Sequence, residues 1–262
     1  MRINNYEEKC NKDLLIAHIS DIHYSKFFSK RLLRRIINEF RKTKPDYICI
    51  TGDLIDHLGV TENMSGLTNF LGELSKISKV LIGLGNHDIR SHHKIVDNKW
   101  YEKLDSNLIV LNNSSYEDDN IYFYGLTLDE DYYKKEKKNT SILASEISKI
   151  KVSNKYNILL FHSPINLEKE EVTKVNNFDL VLVGHAHNGL TPHIFPGNFG
   201  IIAPCNSFYV KNARNSFKSG KSKVIISGGI TKLALSTYIF HLFNWMYPSE
   251  INYIHLKEDK KS

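Results

Sequence analysis

The sequence contains little cysteine, and the three that it has form no recognisable pattern. Cys10, Cys49 and Cys205 are far apart, odd in number and without a Cys-x-x-Cys pair. This spacing argues against a disulfide framework and against a thiolate zinc site, and it fits a reducing compartment. Residues 1–12 are polar and charged and lack the apolar core of a secretory signal, so the sequence favours a cytoplasmic location.

The sequence also lacks long apolar runs. Its most membrane-like stretch, residues 233–247, is shorter than the roughly eighteen residues that a spanning helix needs, and His241 and Asn244 interrupt it. We favour a place for this stretch in the core or in a hydrophobic substrate wall. The alternative is peripheral contact with a membrane interface.

A strong excess of one charge is missing as well. The chain carries 35 basic and 29 acidic residues, a net charge of +6, and its basic residues cluster at 30–44, 134–138 and 211–223. Such clusters are typical of solvated helix faces and loops, and the modest positive field favours anionic ligands. Because the sequence shows no clear stacking surface of aromatic and basic residues, we do not expect nucleic acid as a partner.

What the sequence does contain is a series of short apolar runs that predict buried strands. They are residues 14–19, 47–50, 80–84, 158–161 and 180–183. Residues 30–44 carry apolar side chains at helical spacing, and residues 63–77 show a weaker helical pattern. Strand and helix therefore alternate over the N-terminal third, which predicts parallel strands.

The rest of the chain predicts smaller elements. Residues 107–112 and 121–128 flank an acidic turn at 114–120 and predict an antiparallel pair. Residues 132–139 look like a lysine-rich loop, and residues 141–152 predict a helix. Further short strands are predicted at 200–202, 224–226 and 251–256.

Each of the five apolar runs is followed within a few residues by side chains that bind metal ions in proteins. These side chains are Asp21, His23, Asp53, Asn86, His162, His185 and His187. In open α/β sheets the ligand crevice lies outside the carboxyl ends of the strands, so the five endings are expected to converge. Any one of these residues alone would more often be a turn former or a hydrogen-bonded core histidine.

The spacing and the type of these residues add to the prediction. Side chains two apart in extended backbone point the same way, so Asp21 with His23, and His185 with His187, are each expected to offer two ligands to one site. Imidazole, carboxylate and amide donors without thiolate suit Mn, Fe, Zn or Ni. Seven donors are too many for one four-coordinate zinc ion, but they suffice for two ions that share a carboxylate and clamp a phosphoryl group.

At these residues the sequence resembles the calcineurin-like metallophosphoesterase family. The shared motifs stand in the family's order: Asp-x-His from Asp21, Gly-Asp from Gly52, Gly-Asn-His-Asp from Gly85, His162, and Gly-His-x-His from Gly184. The resemblance implies an α/β fold, a four-layer sandwich of two mixed β-sheets flanked by helices. We expect a single domain over residues 1–262, with 188–262 as its variable C-terminal part.

The resemblance also implies two divalent metal ions, for which we favour Mn. One ion would be held by Asp21, His23, Asp53 and His187, and Asp53 would bridge to a second ion held by Asn86, His162 and His185. Segments at 196–198, 225–229 and 248–251 resemble a bacterial phosphodiesterase subgroup that is often membrane-associated. The expected partner is a phosphorylated small-molecule or lipid-linked substrate.

The activity expected from the resemblance is hydrolysis of phosphodiester or pyrophosphate bonds. By hypothesis, a hydroxide shared by the two ions attacks phosphorus, because metal coordination lowers the pKa of water towards about 7. His87 would stabilise the developing charge or protonate the leaving oxygen, and Asp88 would orient the His87 ring. The alternatives are a phosphomonoesterase, a nuclease and a catalytically weak binding scaffold of the same fold.

Overall fold

A computed structural model describes residues 1–24, 29–55, 64–91, 106–203, 207–231 and 246–258. Most of the apolar stretch 233–247 lies outside these ranges, so its place in the core or at a membrane stays a prediction. Within the described ranges, no helix is both long enough and apolar enough to cross a bilayer.

The described residues form fourteen strands and six α-helices. In chain order, strands β1 to β14 are Arg2–Cys10, Leu14–Ile19, Tyr47–Thr51, Lys79–Gly83, Leu108–Leu111, Ser114–Glu117, Ile121–Leu126, Tyr156–Phe161, Leu180–Val183, Gly200–Ala203, Ser207–Val210, Ser216–Ser219, Ser222–Ile226 and Glu250–Glu258. Helices α1 to α6 are Lys30–Thr43, Ser65–Ser75, Asn86–Ser91, Glu130–Lys134, Thr140–Ser148 and Glu170–Thr173. Two short 3-10 turns span Glu136–Lys138 and His187–Leu190.

Two six-stranded sheets of mixed direction form the centre of the protein. The first has the order β1-β14-β2-β3-β4-β5, and the second has the order β12-β13-β9-β8-β7-β6. In the first sheet the strands from β2 to β5 are parallel, and β14 runs antiparallel to β2. In the second sheet the four middle strands are parallel, and the edge strands β12 and β6 are antiparallel to their neighbours.

Three apolar clusters define the layers of the fold. Phe40 of α1 packs with Ile48 of β3 on the outer face of the first sheet. Leu143 of α5 belongs to the cluster that covers the outer face of the second sheet. Leu81 and Leu160 lie in the third cluster, between the two sheets. The order helix, sheet, sheet, helix confirms the predicted four-layer sandwich.

Sequence patterns explain why these elements form where they do. Leu33, Ile36, Ile37 and Phe40 recur at helical spacing and are the buried face of α1. The helix ends at Thr43, and the next residue, Lys44, has a left-handed backbone (φ 48°) and donates its N–H to the Phe40 carbonyl at 2.8 Å. The central strands β8 and β9 are buried on both faces, which is why they are apolar runs without alternation.

The five strands predicted from apolar runs are confirmed as β2, β3, β4, β8 and β9, with ends that shift by two residues or fewer. The two predicted N-terminal helices are α1 and α2, and the three predicted C-terminal strands are β10, β13 and β14. The helix predicted at 141–152 is α5, which ends earlier, at Ser148. The polar N-terminal segment forms β1, which pairs in parallel with β14 and alternates in burial.

Two predictions for the middle of the chain are wrong. Residues 107–112 and 121–128 do not pair, because β5 joins the first sheet while β7 pairs with β6, inside the predicted acidic turn. Strand β6 lies at an exposed edge, where polar side chains are tolerated. Residues 132–139 are not a loop but the end of α4 and a 3-10 turn, because Asp129 caps α4 and accepts the Tyr132 N–H at 2.8 Å.

Candidate metal centre

The carboxyl ends of five strands from both sheets meet at one edge of the sandwich. Strands β2, β3 and β4 lead into Asp21, Asp53 and Asn86, and strands β8 and β9 lead into His162 and His185. Backbone hydrogen bonds join these strand ends. The Asp21 N–H donates to the Gly52 carbonyl at 3.0 Å, and the Gly184 N–H donates to the His162 carbonyl at 2.8 Å. The convergence expected from the sequence is present.

Five of the candidate ligands have a left-handed backbone, which residues other than glycine rarely adopt. They are Asp21 (φ 51°), His23 (φ 47°), Asp53 (φ 54°), His185 (φ 63°) and His187 (φ 45°). Each such residue costs about 1–3 kcal/mol, and such residues cluster at functional sites. The assumption of extended backbone behind the pairing of Asp21 with His23 and of His185 with His187 is therefore wrong, although Asp21 and His23 do lie in one group.

The first group of donors consists of Asp21, His23 and His187, whose ligand atoms lie within 4.8 Å of one another. Nε2 of His23 lies 3.3 Å from Nε2 of His187. Oδ1 of Asp21 lies 3.8 Å and 3.5 Å from these two nitrogens, respectively. Two imidazole nitrogens that face each other beside a buried carboxylate, one from the buried His23 and one from the partly exposed His187, form a set that a shared cation would satisfy.

The second group consists of Asp53, His162 and His185, again within 4.8 Å of one another. Nε2 of His162 lies 3.2 Å from Oδ2 of Asp53 and 3.1 Å from Oδ1 of Asn86. Nδ1 of His162 lies 2.8 Å from the Thr51 carbonyl oxygen, to which it can donate. That bond would leave Nε2 as the nitrogen available to an ion.

His185 and His187 thus lie in different groups, so the expectation that their spacing directs them to one site is wrong. Asp53 lies between the groups, with Oδ2 at 3.7 Å from Nε2 of His23 and at 3.2 Å from Nε2 of His162. Asp53 thus belongs to the second group and also lies close to a histidine of the first, and the division of ligands between two ions stays a prediction.

Two glycines allow the ligand loops to pack this closely. A Cβ on Gly85 would overlap the Asp53 carboxylate, and a Cβ on Gly184 would lie 2.5 Å from Oδ2 of Asp21. Only glycine leaves room for these contacts. Because the donors are imidazole, carboxylate and amide groups held close together, the residues present fit a pair of divalent transition-metal ions.

The electrostatics of the two groups favour bound positive charge. Burial alone would lower the pKa of His162, but the carboxylates of Asp53 and Asp21 outweigh it and raise the pKa to about 10. Burial raises the pKa of Asp53, but His162, His87 and His23 outweigh that effect and hold it well below its ordinary value. Both shifts come from carboxylates held close to imidazoles, surroundings that a metal cation would satisfy.

His87 lies on the wall of the site, next to the first group. Its backbone N–H donates to Oδ1 of Asp53 at 2.8 Å, and its ring packs edge-on against His23 with 4.6 Å between centroids. His87 also forms a donor group with His23 and Asp53. The geometry is therefore compatible with a ligand as well as with the predicted acid.

Asp88 joins two of the ligand loops through backbone hydrogen bonds. Its carboxylate accepts the N–H of Gly85 at 2.9 Å from one loop, and the N–H groups of Leu54 and Ile55 at 2.9 Å and 3.3 Å from the other. These contacts support a role in holding the loops that carry Asp53 and the Gly-Asn-His-Asp motif. Its predicted role as an orienter of the His87 ring stays a prediction.

A cavity of about 270 Å³ opens beside both groups. Besides His87 and four candidate ligands, it is lined by Arg90, Tyr133 and Lys134, which the sequence analysis missed. Arg90 could have been found, because it follows Asn86 by four residues in α3 and so shares its face. Tyr133 and Lys134 were hidden because α4 was predicted as a loop. Burial, followed by the charge of Glu136, raises the pKa of Tyr133 well above its ordinary value, so its phenol stays a hydrogen-bond donor.

The sequence profile places the chain among the metallophosphoesterases. The profile of the calcineurin-like phosphoesterase family matches residues 14–189, which contain all seven candidate ligands. The chain belongs to this family.

Similar proteins are known from several organisms. An uncharacterised metallophosphoesterase of Campylobacter jejuni is 29% identical over 259 residues, which cover 95% of this chain and 60% of that protein. One of Helicobacter pylori strain J99 is 25% identical over 256 residues, which cover 96% of this chain and 62% of that protein. The chain thus spans about three fifths of the length of these relatives. A solved structure of a dimetal phosphatase from Danio rerio is 13% identical, with a TM-score of 0.48 over 82% of this chain and 87% of that one.

Proposed function

We propose that this chain is a metal-dependent phosphoesterase that hydrolyses phosphodiester or pyrophosphate bonds in a small-molecule or lipid-linked substrate. The observation that carries the proposal is the pair of donor groups on either side of Asp53, next to one cavity. Two ions bound there would supply Lewis acidity and an activated water at neutral pH. Membership of the calcineurin-like phosphoesterase family supports the reaction type.

The ligands divide between the two ions as the donor groups suggest. Asp21, His23 and His187 would hold one ion, Asn86, His162 and His185 would hold the other, and Asp53 would contact both. We favour Mn for both positions, with Fe, Zn and Ni as the other metals that suit these donors.

His87 has the position of a general acid. Its side chain is 17% exposed and lines the cavity beside Asp53, so it can meet a substrate oxygen that the ligands do not reach. There it would protonate the leaving oxygen or stabilise the charge that develops on it.

Two cations on the cavity wall would bind the substrate. Arg90 and Lys134 line the cavity, and Glu130 holds Arg90 in place by accepting its Nε–H at 3.1 Å. Cationic donors bind phosphate oxygens with charge-assisted hydrogen bonds. Within the proposal, they favour a substrate with more than one anionic group, as a pyrophosphate has.

A substrate and metal screen tests this proposal. Metal-stripped protein is supplied with Mn, Fe(II), Zn or Ni and assayed on p-nitrophenyl phosphate, its bis ester and a nucleotide-linked pyrophosphate. We expect metal-dependent hydrolysis, with the diester or pyrophosphate preferred over the monoester. Asp53→Asn should abolish it, and Asp119→Asn, the same change on an exposed turn, should not. Preference for the monoester would contradict the substrate class, and no turnover with any metal would contradict the activity.

A further inference from the structure

Glu136 is a fully buried glutamate in a turn whose other charged residues face solvent. Its exposed fraction is 0%, whereas the lysines on both sides of it, from Lys134 to Lys138, are all exposed. Taking a carboxylate out of water costs several kcal/mol unless polar partners replace the water. A glutamate with no task here would be expected to lie at the surface with its neighbours.

The carboxylate of Glu136 faces the candidate ligand His185. Oε2 of Glu136 lies 3.5 Å from Nε2 of His185, and the two side chains are 0% and 7% exposed. This Nε2 is buried and makes no hydrogen bond to the described residues. An imidazole that binds an ion through one ring nitrogen carries a proton on the other, and this N–H needs an acceptor.

Glu136 lies outside the donor group itself. The ligand atoms of Asp53, His162 and His185 are within 4.8 Å of one another, and Glu136 is not a member of that group among the described residues. Its carboxylate therefore lies next to one ring nitrogen of His185 without belonging to the donor group, and the Thr51 carbonyl lies next to one ring nitrogen of His162.

The backbone of the turn is fixed by contacts that do not involve this carboxylate. The Asn166 side chain donates to the Glu136 carbonyl at 2.6 Å, and the Asn139 N–H donates to the same oxygen at 3.0 Å. The fold of the turn and the charge of Glu136 can therefore be changed separately.

We propose that Glu136 is a positioning residue for the second ion. Its carboxylate accepts the ring N–H of His185 and holds the other ring nitrogen toward Asp53 and His162. An imidazole whose N–H is accepted by a carboxylate also binds metal more strongly than one whose N–H is accepted by a backbone carbonyl. The inference rests on the proposed two-ion site and is independent of the substrate.

Metal binding by three variants tests the role of Glu136. Glu136→Gln keeps the shape and removes the charge, and Glu136→Asp keeps the charge. Asn166→Gly releases the turn while tolerating the left-handed backbone at that position (φ 71°). Titration calorimetry with Mn²⁺ should show that Glu136→Gln weakens one of two binding steps by about 10–100-fold. Glu136→Asp should recover part of that loss, and Asn166→Gly should bind both ions within about threefold of wild type.

An NMR spectrum of the histidine ring nitrogens adds a signal that should not shift if Glu136 had only a structural role. In the Zn²⁺-loaded protein, the Nε2–H of His185 should give a downfield ¹H–¹⁵N signal that moves upfield in Glu136→Gln. Unchanged Mn²⁺ binding in Glu136→Gln, or an equal loss in Asn166→Gly, would overturn the proposal. If wild type binds two ions and Glu136→Gln binds one of them more weakly, but wild type cleaves no phosphoester, the proposed function is refuted and the role of Glu136 stands. Fewer than two ions in wild type would overturn both.

Discussion

Replacing Asp53 by Asn perturbs the residue that lies between the two donor groups. The change preserves the shape of the side chain, and Oδ1 can still accept the backbone N–H of His87, which lies 2.8 Å from Oδ1 in wild type. What it removes is the negative charge near Oδ2, which lies 3.2 Å from Nε2 of His162 and 3.7 Å from Nε2 of His23. Because that oxygen faces a histidine of each group, both ions should be affected.

The size of the effect follows from the position of Asp53. Removing a partner that only orients a metal ligand costs about 10–100-fold in affinity. Losing a shared, charged ligand should therefore cost at least about 100-fold for each ion, or about 2.7 kcal/mol. Neither ion should then survive dialysis that wild type withstands.

Metal content per chain after dialysis measures this directly, and two further variants give the comparison. Asn86→Ala should lose only the second ion, and His187→Gln should lose only the first. The expected pattern is two ions in wild type, one in each of these variants and none in Asp53→Asn. Circular dichroism of the metal-free proteins controls for folding. Two tightly bound ions in Asp53→Asn, or loss of both in Asn86→Ala, would refute the bridging position.

Three other predictions concern catalysis, pH and the core. His87→Ala should lower kcat by about 10²–10⁴-fold with both ions retained; wild-type turnover, or loss of metal, would count against its role as an acid. Burial lowers the pKa of His18 to about 3, from about 6.5 in the unfolded chain, so below pH 6.5 only the unfolded chain gains this proton. The free energy of unfolding should then decrease as the pH is lowered from about 6.5 towards 3, by up to about 1.4 kcal/mol per pH unit. Urea titrations of the metal-free proteins at a series of pH values should show a weaker dependence of this free energy on pH in His18→Gln than in wild type, and an equal dependence would disprove this. Leu160→Ala, in the cluster between the sheets, should cost about 2–5 kcal/mol, and a loss below about 1 kcal/mol would contradict the packing described.

The positions of the candidate ligands could be predicted because they follow from strand topology. Parallel strands with short endings bring Asp21 close to Asp53 in the first sheet and His162 close to His185 in the second, whatever the details of their turns. The direction of each side chain could not be predicted in the same way. His185 and His187 lie in two different groups because both have a left-handed backbone. The prediction assumed the extended backbone of a strand, in which side chains two apart point the same way.

The residues on the far wall of the cavity were missed for a different reason. The lysine-rich composition of 132–139 suggests a solvated loop, but Tyr132, Tyr133 and Glu136 are buried there against the second sheet and the donor groups. Burial of a few side chains in a polar segment is decided by tertiary contacts, which leave no periodic trace in so short a stretch. The cap at Asp129 was the available signal.

The positions of metal ions in crystals of the Mn-loaded protein test the central claim most directly. Anomalous diffraction at the Mn absorption edge should give two peaks about 3.5–4 Å apart. One peak should lie beside Asp21, His23 and His187, and the other beside Asn86, His162 and His185, with the Asp53 carboxylate between them. A single peak, or two peaks away from these residues, would contradict the account.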